Sequence, residues 1–153
     1  MKNIKTYKLF EMVDIVPEIY GYIANNDIES LEDFVDDEDN FSRLDTSYKG
    51  MTPLNRAIFD LKNKIAKILI EAGADPDAKT EWNITPLLYA SYDNNMEVIR
   101  YLIEANADWS YVDENKKTFL ENLNHENAEI IISEFSEEYT RYNKRKKTKE
   151  FNL

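Results

Sequence analysis

Apolar residues occur along this chain in short bursts, three and four positions apart. Ile65, Ile68 and Leu69 form one burst, Val98, Ile99 and Leu102 another, and Leu31, Phe34 and Val35 a third. Such spacing puts each set on one side of a helix and predicts short helices with a single buried face. Turn-forming residues separate the bursts, as at Asn26-Asp27, Gly73 and Asn106.

The pattern is copied along the chain. Thr52-Pro53-Leu54 returns 33 positions later as Thr85-Pro86-Leu87, and in degraded form as Thr118-Phe119-Leu120. Gly73-Ala74-Asp75 returns as Asn106-Ala107-Asp108, and Ala57 as Ala90. A fixed period means one supersecondary unit stacked along an axis, each copy burying its apolar face on its neighbours. The local chemistry fits. Thr52 and Thr85 suit a helix N-cap, and Pro53 and Pro86 the first helical position, where a missing N–H costs nothing. Gly73 and Asn106 suit the left-handed residue that closes a helix, and Gly50 and Asn83 the matching position in a hairpin.

Thr-Pro-Leu-x-x-Ala followed about 20 residues later by Gly-Ala-Asp resembles the ankyrin repeat. The resemblance implies an all-α solenoid of helix-turn-helix units, roughly eight helices in all, joined by hairpin-like loops near 44–52, 76–84 and 109–117. Two copies match well, at 50–82 and 83–115, and two match in part, at 17–48 and 116–137. Residues 1–16 are expected to pack as a cap through Ile4, Tyr7, Leu9, Phe10, Val13, Ile15 and Val16, giving a repeat domain over 1–140 and a basic tail over 141–153. Leu54, Ala57, Ile65, Leu69, Leu87, Ala90, Val98 and Leu102 form the expected core. In the last copy Phe119 replaces Pro, and Lys116 stands where Gly or Asn belongs, so an irregular hairpin is expected there.

Charge sharpens the picture. The chain of 153 residues has a net charge of −11. The tail 141–153 holds six bases against one acid, which leaves about −16 for the body. The acids thicken along Glu29, Glu32, Asp33, Asp36, Asp37, Glu38 and Asp39. A body this acidic disfavours nucleic acid, whose binding requires phosphate neutralisation, and favours a basic protein reached by electrostatic steering. There is no cysteine, in keeping with a reducing cytoplasm, and no signal-peptide core or membrane span is expected.

Candidate chemistry is sparse. The single histidine, His125, falls by register late in the first helix of the last copy, where an exposed polar residue is expected. Only three glycines are present, so no phosphate loop can form. Asp36-Asp37-Glu38-Asp39-Asn40 lacks the glycine and closing glutamate of a calcium loop. No cofactor and no enzymatic activity are expected.

In the ankyrin family, partners dock on hairpin tips and on the concave face of the first helices. Carried over, the tips are Tyr48, Lys49 and Met51, then Glu81, Trp82 and Ile84, then Glu114, Asn115 and Lys117. Seven and eight positions after each Thr stand Phe59-Asp60, Tyr92-Asp93 and His125-Glu126. Aromatic and Met side chains are what protein interfaces favour at their centres. The expected surface is therefore Tyr48, Met51, Phe59, Trp82, Ile84 and Tyr92, with Asp60, Glu81 and Asp93 pairing to bases. The expected function is a cytoplasmic, non-catalytic, monomeric binding protein, of inhibitor or immunity type, for a basic partner such as a nuclease toxin or a nucleic-acid enzyme. The rival is an adaptor that joins two proteins.

Overall fold

A computed structural model describes residues 17–151, with side chains through residue 148; the proposed cap at 4–16 lies outside the described residues. The helices are α1 (Glu18–Asn25), α2 (Ile28–Asp36), a 3-10 helix (Glu38–Arg43), α3 (Pro53–Phe59), α4 (Asn63–Glu71), α5 (Pro86–Tyr92), α6 (Met96–Glu104), α7 (Phe119–Asn122), α8 (His125–Glu134) and α9 (Ser136–Phe151). No strand forms among the described residues, and the fold is the all-α repeat stack that the sequence implies.

The helices stand in two rows. In the inner row α1 packs on α3, α3 on α5 and α5 on α7; in the outer row α2 packs on α4 and α4 on α6. All eight expected core residues lie between these helices, none more than 1% exposed. Thr52 and Thr85 cap α3 and α5, their hydroxyls accepting from the amides of Asn55 (3.3 Å) and Leu88 (3.4 Å). Gly73 (φ 93°) and Asn106 (φ 63°) take the left-handed conformation after α4 and α6.

Side chains tie each copy to the next. The carboxylate of Asp45 accepts from the Asp75 amide (3.0 Å), and that of Asp77 from the Asp108 amide (2.9 Å). Within one copy, the Asn55 carboxamide donates to the Ala78 carbonyl at 2.7 Å. Between the inner ends of the copies, Asn95 donates to Asn63 (2.8 Å), and Asn94 accepts from the amide of Asn124 (3.0 Å) and the side chain of Asn127 (3.2 Å). Lys62 donates to the carbonyls of Ile23 and Ala24, satisfying the open end of α1 with a cation where the helix dipole favours one.

Two expectations about the hairpins change. In the 76–84 loop the Thr80 amide donates to the Ile84 carbonyl (3.0 Å), and the Ile84 amide to the Thr80 hydroxyl (3.2 Å). The last hairpin is not irregular but repeats this design. The Asp113 amide donates to the Lys117 carbonyl (2.9 Å), and the Lys117 amide to the Asp113 carboxylate (3.0 Å). Asp113 thus supplies the acceptor that Thr80 supplies, and holds Lys116 left-handed (φ 63°). That conformation costs a non-glycine residue about 1–2 kcal/mol. The first hairpin is the one that departs. Tyr48 and Met51 pair directly across Lys49 (φ 49°) and Gly50 (φ 78°), a two-residue turn of the kind that closes β-hairpins.

The last copy differs elsewhere. Its inner helix, α7, has four residues, whereas α3 and α5 have seven each. Asn124 ends it by capping α8, accepting from the Asn127 amide at 2.8 Å while its own amide is held by Asn94. One helical turn is therefore missing. His125 is the first residue of α8 rather than a late residue of the inner helix, and His125-Glu126 do not occupy the positions equivalent to Phe59-Asp60.

Two stability measurements follow from this packing. Ala90 is fully buried where α5 meets its neighbours, so Ala90→Leu should overpack the contact and lower stability by about 1–3 kcal/mol in a denaturant titration; an unchanged midpoint would contradict the packing. Burial pushes the Asp77 carboxyl above its ordinary range, against the Asp108 amide that lowers it. A raised folded pKa means that the folded state holds the proton more tightly, so stability falls as pH rises from the unfolded value through the folded one. Asp77→Asn keeps an acceptor for the Asp108 amide and removes the charge. It should raise the thermal midpoint at pH 7, with the gain vanishing below the ordinary carboxylate pKa; equal gains at both pH values would refute the assignment.

Candidate functional site

The hairpin tips divide into exposed and anchored residues. Trp82 is 56% exposed, at the apex of a turn fixed by the Thr80–Ile84 bonds and by Asn83 in the left-handed conformation (φ 62°). Glu81 is exposed beside it, its amide donating to the Gly50 carbonyl of the preceding hairpin (2.8 Å). Met51, expected at an exposed tip, is instead buried. The Tyr20 hydroxyl lies within hydrogen-bond distance of the carbonyls of Met51 and Thr46 and accepts from the Tyr48 amide (3.1 Å), which pulls this hairpin inward. Burial in that position pushes the Tyr20 phenol up to about 12. Tyr48 follows, half-buried with its ring 5.3 Å from that of Tyr20 and the Lys49 ammonium over its own face. Ile84 is also half-buried and packs against the core. The tip surface therefore narrows to Trp82 and Glu81.

On the inner helices the outcome is a row of rings. Phe59 ends α3 and Tyr92 ends α5, and they are 53% and 42% exposed. Between them lies half-buried Tyr89, edge-on to both, with ring centroids 6.0 Å from Phe59 and 6.3 Å from Tyr92. Edge-to-face pairs of this kind contribute about 0.5–1.5 kcal/mol beyond their burial, so the row is held in place before any partner arrives. The sequence reading missed Tyr89; its signal was the three-residue spacing to Tyr92, which puts both rings on one face of α5.

Acids border the row unevenly. Asp60 is half-buried and paired with Arg56 at 2.7 Å, so it is committed within its own helix. Asp93 is exposed and, among the described residues, makes no ion pair. The Tyr92 phenol is pushed up first by burial and then by the carboxylates of Asp113 and Glu114, so the acids of the last hairpin act on this ring. Burial opposes ionisation of Asp113, yet the amides of Lys117 and Asn115 and the Asn122 side chain hold its carboxyl below the ordinary range. A fixed negative charge thus flanks Tyr92 at neutral pH. Just past Phe59, Leu61 is 60% exposed in the left-handed conformation (φ 56°), where the equivalent residue of the next copy is Asn94.

His125 is exposed, 3.6 Å from Glu129 alone. Among the described residues no group of three side chains could hold a metal ion, and no helix is long and apolar enough to cross a membrane.

Comparisons with known proteins agree with this architecture. The family model for ankyrin repeats in three copies matches residues 62–135. The structure is similar to the ankyrin repeat domain of Bcl-3, a member of the IkappaB protein family, with a TM-score of 0.56 and 22% sequence identity. The match covers 68% of this chain and 50% of that one, so this chain spans about half the length of its structural relative. No curated protein matches it in sequence. With its 33-residue period, its Thr-Pro helix starts and its two rows of stacked helices, the chain is an ankyrin-repeat protein.

Proposed function

We propose that this ankyrin-repeat chain binds one basic protein, without catalysis, as an inhibitor or immunity-type protein does. The observation that carries the reading is the row Phe59–Tyr89–Tyr92. Its outer rings occupy the same register in adjacent copies, stay largely in water, and are flanked by Asp93, Asp113 and Glu114. Exposed rings at equivalent positions add nothing to the core, whereas a partner that covers them gains apolar burial at little entropic cost, because the row is already ordered. Acids at the rim select bases on that partner and speed its approach. Leu61 supports the same reading, since a left-handed, water-exposed leucine is strain that the fold itself does not recover.

The proposed surface comprises Phe59, Tyr92 and Trp82, with Glu81 and Asp93 as the free acids; Tyr48, Met51 and Ile84 act by holding the tips in place. A nuclease toxin or a nucleic-acid enzyme fits as partner, because its own ligand-binding face is basic. The proposed setting is the cytoplasm, and the free chain is proposed to be monomeric. The adaptor reading draws support from α9, whose basic residues lie apart from this surface and could engage a second protein.

Three measurements bear on the proposal. Partners retained by the parent chain and by Phe59→Ala/Tyr92→Ala should be compared by mass spectrometry: one basic protein lost from the variant is expected, and an acidic one, or no difference, would overturn the reading. Trp82→Ala should leave folding within about 0.5 kcal/mol, as at other exposed sites. It should weaken that partner at least tenfold in a titration, about 1.4 kcal/mol. Association should slow steeply as salt rises, while dissociation changes less. Neutralising Asp36, Asp37, Glu38 and Asp39 should slow it too; stopped-flow rates flat in ionic strength would reduce those acids to solvation.

A further inference from the structure

The last helix, α9, lies across the final copy and leaves a cleft of about 540 Å³ beside it. Glu138, Arg141, Tyr142 and Arg145 line one wall, three and four positions apart, so a single face of α9 looks inward. The opposite wall has an apolar floor with a polar rim of Asn106, Asp108, Ser110, Lys116, Thr118 and Glu121. Trp109 is 6% exposed, edge-on to Phe119 (centroids 5.1 Å, 83°) and 6.0 Å from the Tyr142 ring; Ile103, Ala107 and Val112 complete the floor. Stacked helices rarely enclose such a space; here a helix laid across the end of the stack does so.

The charges in the cleft are not balanced pair by pair. Of its three acids only Glu138 is paired with a cation, Arg141 (3.0 Å); Asp108 and Glu121 accept from the neutral amides of Ser110 (2.9 Å) and Thr118 (2.8 Å) and keep their charge. Lys116 and Arg145 have no carboxylate at ion-pair distance among the described side chains. The Thr118 amide, helped by Lys146, which is also outside that distance, holds the Glu121 carboxyl below its ordinary range. In a chain of net charge −11, four bases against three acids around an aromatic wall make this cleft locally positive. The volume lies in the range of small-ligand sites, about 300–1,000 Å³, and is too small to seat a protein face.

We propose that this cleft binds a small organic anion. A flat apolar body lies against Trp109 and Tyr142, and its carboxylate, phosphate or sulfonate meets Lys116, Arg145 and Lys146. The site is separate from the protein-binding surface proposed above and does not depend on it.

The chain has two tryptophans, Trp82 and Trp109, so Trp82→Phe leaves Trp109 as the sole reporter. The probe is 1-anilinonaphthalene-8-sulfonate, an apolar ring system carrying one sulfonate. It should quench Trp109 saturably at one site per chain. N-phenyl-1-naphthylamine, the same rings without the sulfonate, should bind at least tenfold more weakly. Arg145→Glu/Lys146→Glu should weaken the sulfonate probe at least tenfold while leaving helicity and thermal midpoint unchanged. Equal binding of the neutral and charged probes to the unaltered cleft would overturn the proposal even if the charge reversal failed to fold. So would a correctly folded reversal that binds the sulfonate as its parent does, or quenching that never saturates.

Discussion

Ala57 and Ala90 set the distance between copies. Both are fully buried on the inner row, where α3 packs on α5 and α5 on α7. A methyl group is the whole side chain at both positions, and close-packed interiors resist even one added carbon. With that spacing fixed, the other links between copies fall into reach. Asp45 and Asp77 meet the amides of the next copy, Asn63 meets Asn95, and Glu81 meets Gly50. The aromatic row depends on the same distance, because Phe59 and Tyr89 belong to different copies and touch only if the helices approach this closely.

What the sequence revealed follows the range of the interactions involved. Helix starts were legible because Thr-Pro is a local instruction, read by amides three residues away. Helix ends were legible because Gly73 and Asn106 tolerate the left-handed conformation that few residues adopt. The loss of a turn in α7 was not, although its cause is also local in part: Asn124 is a strong N-cap. Its decisive second bond runs to Asn94, thirty residues earlier, and no period predicts that partner. The burial of Met51 likewise rests on Tyr20, thirty-one residues away. Lys116 misled for the opposite reason. Its own preference argues against a tight turn, but Asp113 supplies bonds enough to impose one.

The site was legible in part. Phe59, Trp82 and Tyr92 stand exposed at the places the period assigns them, since position in a repeat determines which side faces water. Tyr89 was hidden because position alone does not say which neighbouring side chain a ring will meet. The cleft under α9 was hidden more deeply. The bases of the tail were visible as a run, but only the fold shows that Arg141 and Arg145, still exposed, line the cleft that Trp109 floors.

The asparagine seam gives the molecule a division of labour. Asn63 with Asn95, and Asn94 with Asn124 and Asn127, join successive copies through neutral amides. Such bonds have no Debye screening to lose and no proton to gain. This seam is therefore indifferent to salt and pH, whereas the second set of joints, the carboxylates of Asp45 and Asp77, is not. Surface carboxylates away from Asp45 and Asp77 can therefore change without touching the amide seam that keeps the copies in line.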